Sequence, residues 1–217
     1  MLSFASPLVA QDWVAGASGN SSTAFTYLTH YFRHRLTPTT QLVYFQSVSY
    51  LTYEITDAGH TTRVSSPGLS AGAEYRFDDP KLTAGIGGGW ELRWNSHDLG
   101  KGVSVTENVS GPVVQGDVGV HFTPATFGRV AAAYGNANRW HAVDADLRQS
   151  IGRAFRIGPE VLWEGNDDID VASVGVLFEI PLQRNLLDIR GGQSHVTNRD
   201  GTKETHPYFS VGIVLPF

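Results

Sequence analysis

The chain has 217 residues, 41% hydrophobic and only 17% charged, with 24 glycines and 11% aromatics. Its formal charge of -5 argues against nucleic acid as a partner, because neutralising phosphates takes a basic face. The absence of cysteine excludes disulfides and thiolate metal sites. No run of about 18 apolar residues occurs, so no transmembrane helix is expected. The mean hydropathy of -0.16 still fits strands that turn one face to lipid and one to a polar lumen.

The length fits one domain. Residues 1–11 read as the remnant of an export signal or a disordered terminus, and 12–217 as the folded unit. Val14 opens the first strand, and Gly19-Asn20-Ser21 turns it. Thr23 to Leu36 and Gln41 to Ile55 are long β-branched and aromatic runs joined by Thr37-Pro38-Thr39-Thr40; their alternation is too irregular to assign faces.

From Leu69 onward, side chains alternate with the strand period of two. Leu69, Ala71, Ala73, Tyr75 and Phe77 oppose Ser70, Gly72, Glu74 and Arg76. Leu82, Ala84, Ile86, Trp90, Leu92 and Trp94 oppose Thr83, Gly85, Glu91 and Arg93. A polar loop is expected over Asn95 to Ser110, after which Val114, Val118, Val120 and Phe122 oppose Gln115, Asp117 and His121. Phe127 to Tyr134 follows, and then Val143, Ala145, Leu147 and Ile151 oppose Asp144, Asp146 and Arg148. After a tight turn at Gly152-Arg153, Phe155, Ile157, Val161 and Trp163 oppose Arg156, Glu160 and Glu164. Ala172, Val174, Val176, Phe178 and Ile180 oppose Ser173, Gly175 and Glu179, and Leu187 and Ile189 oppose Asp188 and Arg190. A polar loop is expected over Gln193 to Glu204. In the closing strand Phe209, Val211, Ile213, Leu215 and Phe217 oppose Tyr208, Ser210, Gly212 and Val214. Pro159 removes a ladder donor, so a bulge or weakened pairing is expected there.

These are about twelve strands, an even number. Their connections fall into two sets. Thr56–Ser65, Asn95–Ser110 and Gln193–Glu204, the long ones, alternate with short turns such as Asp78–Lys81 and Gly152–Arg153. Long outer loops and short periplasmic turns are the asymmetry of outer-membrane barrels. The expected fold is therefore all-β, a single antiparallel up-and-down transmembrane β-barrel. The polar face is the strongest argument against the alternative, a soluble β-sandwich binding module. It holds Glu74, Arg76, Glu91, Arg93, Asp117, Arg129, Asp144, Asp146, Arg148, Arg156, Glu160, Glu164, Glu179, Asp188 and Arg190. A sandwich core cannot absorb so many ions, whereas a lumen pairs or hydrates them. The closing set Phe209 to Phe217 resembles the terminal assembly signal of outer-membrane proteins. It implies outer-membrane lipid and the barrel-assembly machinery as partners, in the outer membrane of a Gram-negative bacterium.

Catalysis and cofactors are not expected. The segment closest to a barrel lipase or lipid A deacylase pattern is His195-Val-Thr-Asn198, which puts Thr where a nucleophilic Ser is needed. His141 beside Trp140 fits the membrane rim. His30 and His34 share a strand face without a third metal ligand, and Gly85-Ile-Gly-Gly-Gly89 lacks the Lys of a phosphate loop.

Val113-Val-Gln-Gly-Asp117, Tyr134-Gly-Asn-Ala137 and Ile157-Gly-Pro-Glu160…Gly165-Asn-Asp-Asp168 with Val174-Gly175 resemble the BcsS family, outer-membrane proteins associated with cellulose biosynthesis. The similarity covers about the C-terminal half. It implies an accessory role in exopolysaccharide export, as a barrel with at most a narrow channel, with glucan or polysaccharide-export components as partners and Glu160 in the lumen.

Overall fold

The computed structural model describes residues 9–57, 60–98 and 104–216. Twelve strands run through them: β1 (Val9–Gly19), β2 (Thr23–Arg35), β3 (Thr40–Asp57), β4 (His60–Asp78), β5 (Leu82–Asp98), β6 (Ser104–Thr123), β7 (Thr126–Gly135), β8 (Trp140–Ile151), β9 (Phe155–Gly165), β10 (Ile169–Leu182), β11 (Asn185–Asn198) and β12 (Lys203–Pro216). Each pairs antiparallel with its sequence neighbours. β12 returns to β1, from Asp12↔Pro216 to Gly19↔Phe209, and closes the barrel. Closure pairs the backbone without leaving an edge, which is what a sheet in hydrocarbon requires. The expected folded unit began at residue 12, but β1 begins at Val9; residues 1–8 and Phe217 lie outside the described residues.

The faces follow the alternation. On β5, Ile86 and Trp90 are 72% and 56% exposed, while Glu91 and Arg93 are 4% and 5% exposed. For β2 and β3 the register settles what the pattern left open. Leu28, Tyr44, Val48 and Tyr50 lie on the exposed outer wall, and Tyr27 and Tyr31 line the lumen.

The long loops expected over 56–65, 95–110 and 193–204 are corrected to hairpin ladder. β3 and β4 stay paired to Asp57↔His60, β5 and β6 to Asp98↔Ser104, and β11 and β12 to Thr197↔Lys203. Residues 58–59 and 99–103 lie outside the described residues. These segments are polar because they rise above the lipid. Thr61, Thr62, Val64, Val105 and Thr106 keep the β-branched character that suits a pleated strand.

Pro159 introduces no bulge. β9 keeps register with β10 through Val176↔Pro159, but its ladder with β8 lapses between Asp146↔Glu160 and Gln149↔Ile157. The neighbouring Gly158 is held so close that a Cβ there would lie 1.5 Å from the Leu147 carbonyl oxygen. The register shift of β6 and β7 lies instead at His121/Thr123.

A cluster of buried apolar residues sits in the outer mouth. Tyr53 and Val64, from one wall, join Ile169, Val171 and Val196, from the other, with Leu51 and Ile55 packed against them. β3 and β11 approach each other across the lumen at this level.

Candidate functional site in the lumen

Four strands carry an acid, one residue and an arginine: Glu74-Tyr-Arg76, Glu91-Leu-Arg93, Asp146-Leu-Arg148 and Asp188-Ile-Arg190. Period two turns both charged groups inward, two residues apart, and each arginine reaches back to its own acid. Arg93 Nε donates to Glu91 at 2.8 Å, Arg148 Nε to Asp146 at 2.6 Å and Arg190 Nε to Asp188 at 2.6 Å. Arg76 Nη1 meets Glu74 at 2.5 Å.

Three of these arginines, together with Arg156, then join strands along the lumen wall. Arg76 forks onto both oxygens of Asp117 at 3.0 and 3.2 Å. Arg148 and Arg156 both donate to Glu179. Arg190 Nη1 adds Glu160 at 2.9 Å and Asp144 at 3.2 Å, and the Tyr208 hydroxyl also donates to Glu160. A Cβ at Gly175 would lie 2.3 Å from the Tyr208 hydroxyl, so that glycine gives Tyr208 its room. Nearer the outer mouth, Trp140 Nε1 donates to Glu91 at 2.7 Å. Charge-assisted forks of this kind are strong and fix geometry.

Of the lumen charges expected from sequence, all but Arg129 and Glu164 form ion pairs in this network. Arg129 and Glu164 instead line a cavity of about 650 Å³, beside Tyr27, Tyr31, Tyr208 and Asp144. Asp144 gives one oxygen to Arg190; its buried Oδ1 has no hydrogen-bond partner among the described residues. Arg129 also faces a smaller cavity of about 210 Å³. Sequence reasoning missed the Asp12–Arg33 pair and the inward Trp140, because no faces were assigned to β1, β2 or the start of β8.

Phe209, Val211, Ile213 and Leu215 of the closing strand face outward, and Phe209 is 57% exposed. Phe217 lies outside the described residues. His195, expected in a loop, stands on β11 and meets the Thr205 hydroxyl at 2.9 Å, while Asn198 turns to Thr202. His141 packs against Trp163 at the rim, with ring centroids 4.6 Å apart. His30 stacks on Trp13 at 4.2 Å on the outer wall.

No protein-family model matches this chain, and no curated protein matches it. Solved structures do. The transport unit of the autotransporter AIDA-I from Escherichia coli matches with a TM-score of 0.58 at 13% identity, over 100% of this chain and 93% of that one. LpxR from Salmonella typhimurium matches with a TM-score of 0.56 at 12% identity, over 95% and 100%. The CymD monoaromatic hydrocarbon channel matches with a TM-score of 0.53 at 6% identity, over 96% and 88%. The fold is that of outer-membrane β-barrels.

Proposed function

We propose that the protein sits in the outer membrane of a Gram-negative bacterium and binds a hydroxyl-rich ligand of the saccharide class in its lumen. It acts there as an accessory to exopolysaccharide export, the role implied by its resemblance to the BcsS family. Its partners are lipid, the barrel-assembly machinery through β12, and glucan or polysaccharide-export components.

One observation carries the ligand class. Asp144 Oδ1 is buried without a hydrogen-bond partner among the described residues, and it borders, with Arg129 and Glu164, neither of which forms an ion pair among those residues, a cavity that also presents tyrosines. A buried polar group without a partner costs about 1–3 kcal/mol. A sugar hydroxyl both donates and accepts, so one ring can serve a guanidinium and two carboxylates at once. Tyrosine faces suit the apolar side of the same ring.

The arginine network and the apolar cluster both narrow the lumen and both line the cavity. That favours a binding or gated barrel over a standing pore, in keeping with a barrel of this strand number.

The test uses Trp140, which faces the lumen while Trp13, Trp90, Trp94 and Trp163 face outward. Soluble β-glucan oligomers should change its emission saturably. Arg129→Gln should weaken binding about tenfold, the equivalent of losing one charged hydrogen bond. Emission blind to glucans, with planar-bilayer currents they also leave unchanged, would refute the reading.

A further inference from the structure

We propose that the outer rim carries a serine esterase site, with Ser21 as nucleophile and His206 as base, acting on acyl-ester lipids of the outer leaflet. Ser21, Glu204 and His206 belong neither to the lining of the lumen cavity nor to the His195 segment, although Asn20, which holds the turn, borders that cavity.

The residues are 185 positions apart, and barrel closure brings them together. Ser21 Oγ lies 2.7 Å from His206 Nδ1, and Glu204 Oε2 lies 2.8 Å from His206 Nε2. Ser22 Oγ is 3.2 Å from the same Nε2. One tautomer satisfies every contact. A bare Nδ1 accepts the Ser21 hydroxyl proton, and the Nε2 proton points to Glu204 with Ser22 accepting beside it. That is the nucleophile, base and orienting acid of an activated hydroxyl.

The arrangement is held in place. Glu204 and His206 share a face of β12 by the period of two. The turn carrying Ser21 is fixed by Asn20, whose Oδ1 accepts from the Ser22 and Thr23 N–H groups at 2.8 and 2.9 Å. Asn20 Nδ2 donates to the buried Ser194 at 3.2 Å, and Ser194 Oγ donates to the His206 carbonyl at 3.3 Å. Ser21 itself is exposed.

Position selects the substrate class. β1 stops at Gly19, while β3 on the far side of β2 climbs to Asp57, so the rim dips at this turn. Gly19 pairs with Phe209, an exposed aromatic of the outer wall. Phe209 belongs to the outward apolar and aromatic band of the barrel, so the turn one residue beyond Gly19 stands at the upper edge of that band, near the depth of lipid ester bonds.

The chemistry balances with water alone. Ser21 Oγ attacks the ester carbonyl carbon as its proton passes to His206 Nδ1. The carbon–oxygen ester bond breaks, and His206 returns the proton to the departing alcohol. Water then attacks acyl-Ser21, His206 takes its proton, and the carboxylic acid leaves with Ser21 restored. Ser21 and His206 are the catalytic residues; Glu204 positions the ring.

The experiment uses the folded full chain in detergent micelles, a fluorophosphonate probe with peptide mass spectrometry, and hydrolysis of a phosphatidylcholine. An adduct on Ser21 is expected. Ser21→Ala should abolish both labelling and turnover, and His206→Gln should slow both at least about 100-fold. Glu204→Ala should slow labelling, with Glu204→Asp restoring part of the rate. Heat-modifiable gel migration shows that each variant remains folded. No adduct, an adduct at Ser22 or elsewhere, or a Ser21 labelling rate indifferent to His206→Gln would overturn the assignment.

Discussion

Replacing Arg190 by Met tests whether the ionic lumen holds the barrel together. Arg190 is the hub of three carboxylates: Asp188 at 2.6 Å, Glu160 at 2.9 Å and Asp144 at 3.2 Å. Its side chain is 19% exposed and that of Glu160 is 1% exposed, so water screens little of the pairing. Methionine keeps much of the volume and removes the charge. Three acids would then face one another with the Tyr208 hydroxyl still donating to only one of them. Breaking a buried ion pair by removing one partner costs about 3–5 kcal/mol, and a hub shared by three acids belongs at the upper end. Urea unfolding in lipid vesicles, followed by tryptophan emission, should show that loss. The second arm is sharper. Adding Glu160→Gln to Arg190→Met removes one of the stranded charges and should recover about 1–3 kcal/mol, the size of coupling expected between contacting residues. An Arg190→Met loss below about 1 kcal/mol, or a double variant weaker than the single, would refute the claim that these charges are mutually compensated.

Gly158→Ala should prevent assembly, since its Cβ would fall 1.5 Å from the Leu147 carbonyl oxygen; Gly191→Ala, where the nearest atom is 3.7 Å away, should fold with unchanged gel migration. Ile86→Arg, on the lipid-facing wall, should cost about 2–4 kcal/mol in urea unfolding, against about 0–1 for Ser96→Arg higher on the same face of β5. The paired change Val64→Ser and Val196→Ser puts hydroxyls into the apolar cluster of the mouth and should raise ion current in planar bilayers; an unchanged current would show that these side chains do not restrict the path.

Much of the barrel was legible because lipid and lumen impose opposite demands on alternate residues. From Leu69 to Leu215 the faces of most strands could be read directly outside the segments taken as loops, and the lumen acids and arginines with them. The specific pairings were less visible. The four acid–x–arginine repeats are a sequence signal for pairs within a strand, yet cross-strand partners such as Arg190 and Asp144 depend on register. The long loops were misread because polarity was taken as a sign of loop. Above the bilayer, polarity reports only the absence of lipid. The apolar mouth and the Ser21–His206 contact were beyond a local reading, since each joins segments far apart in the chain that meet only when β12 closes on β1.

The irregular alternation of β3 has a physical cause that unites these observations. Within the bilayer Tyr44, Val48 and Tyr50 point outward to lipid, while Val43 and Phe45 are buried on the inner face. Past Tyr50 only the inner face stays apolar: Leu51, Tyr53 and Ile55 belong to the inward cluster, and Thr52 and Glu54 take the outer face. β10 and β11 do the same. Val174, Val176 and Phe178 face out, with Leu177 buried on the inner face between them, whereas at the mouth Ile169 and Val171 face in; Ile189 is on the outer wall, but Val196 is in the mouth. A strand leaving hydrocarbon finds water on its outside, so its apolar side chains are stabilised only by turning inward onto one another. Along these strands the outer face is therefore apolar in the membrane and polar above it. The level at which it turns polar marks the bilayer surface, and a nitroxide lipid label should quench a fluorophore at position 48 while leaving one at position 54 bright.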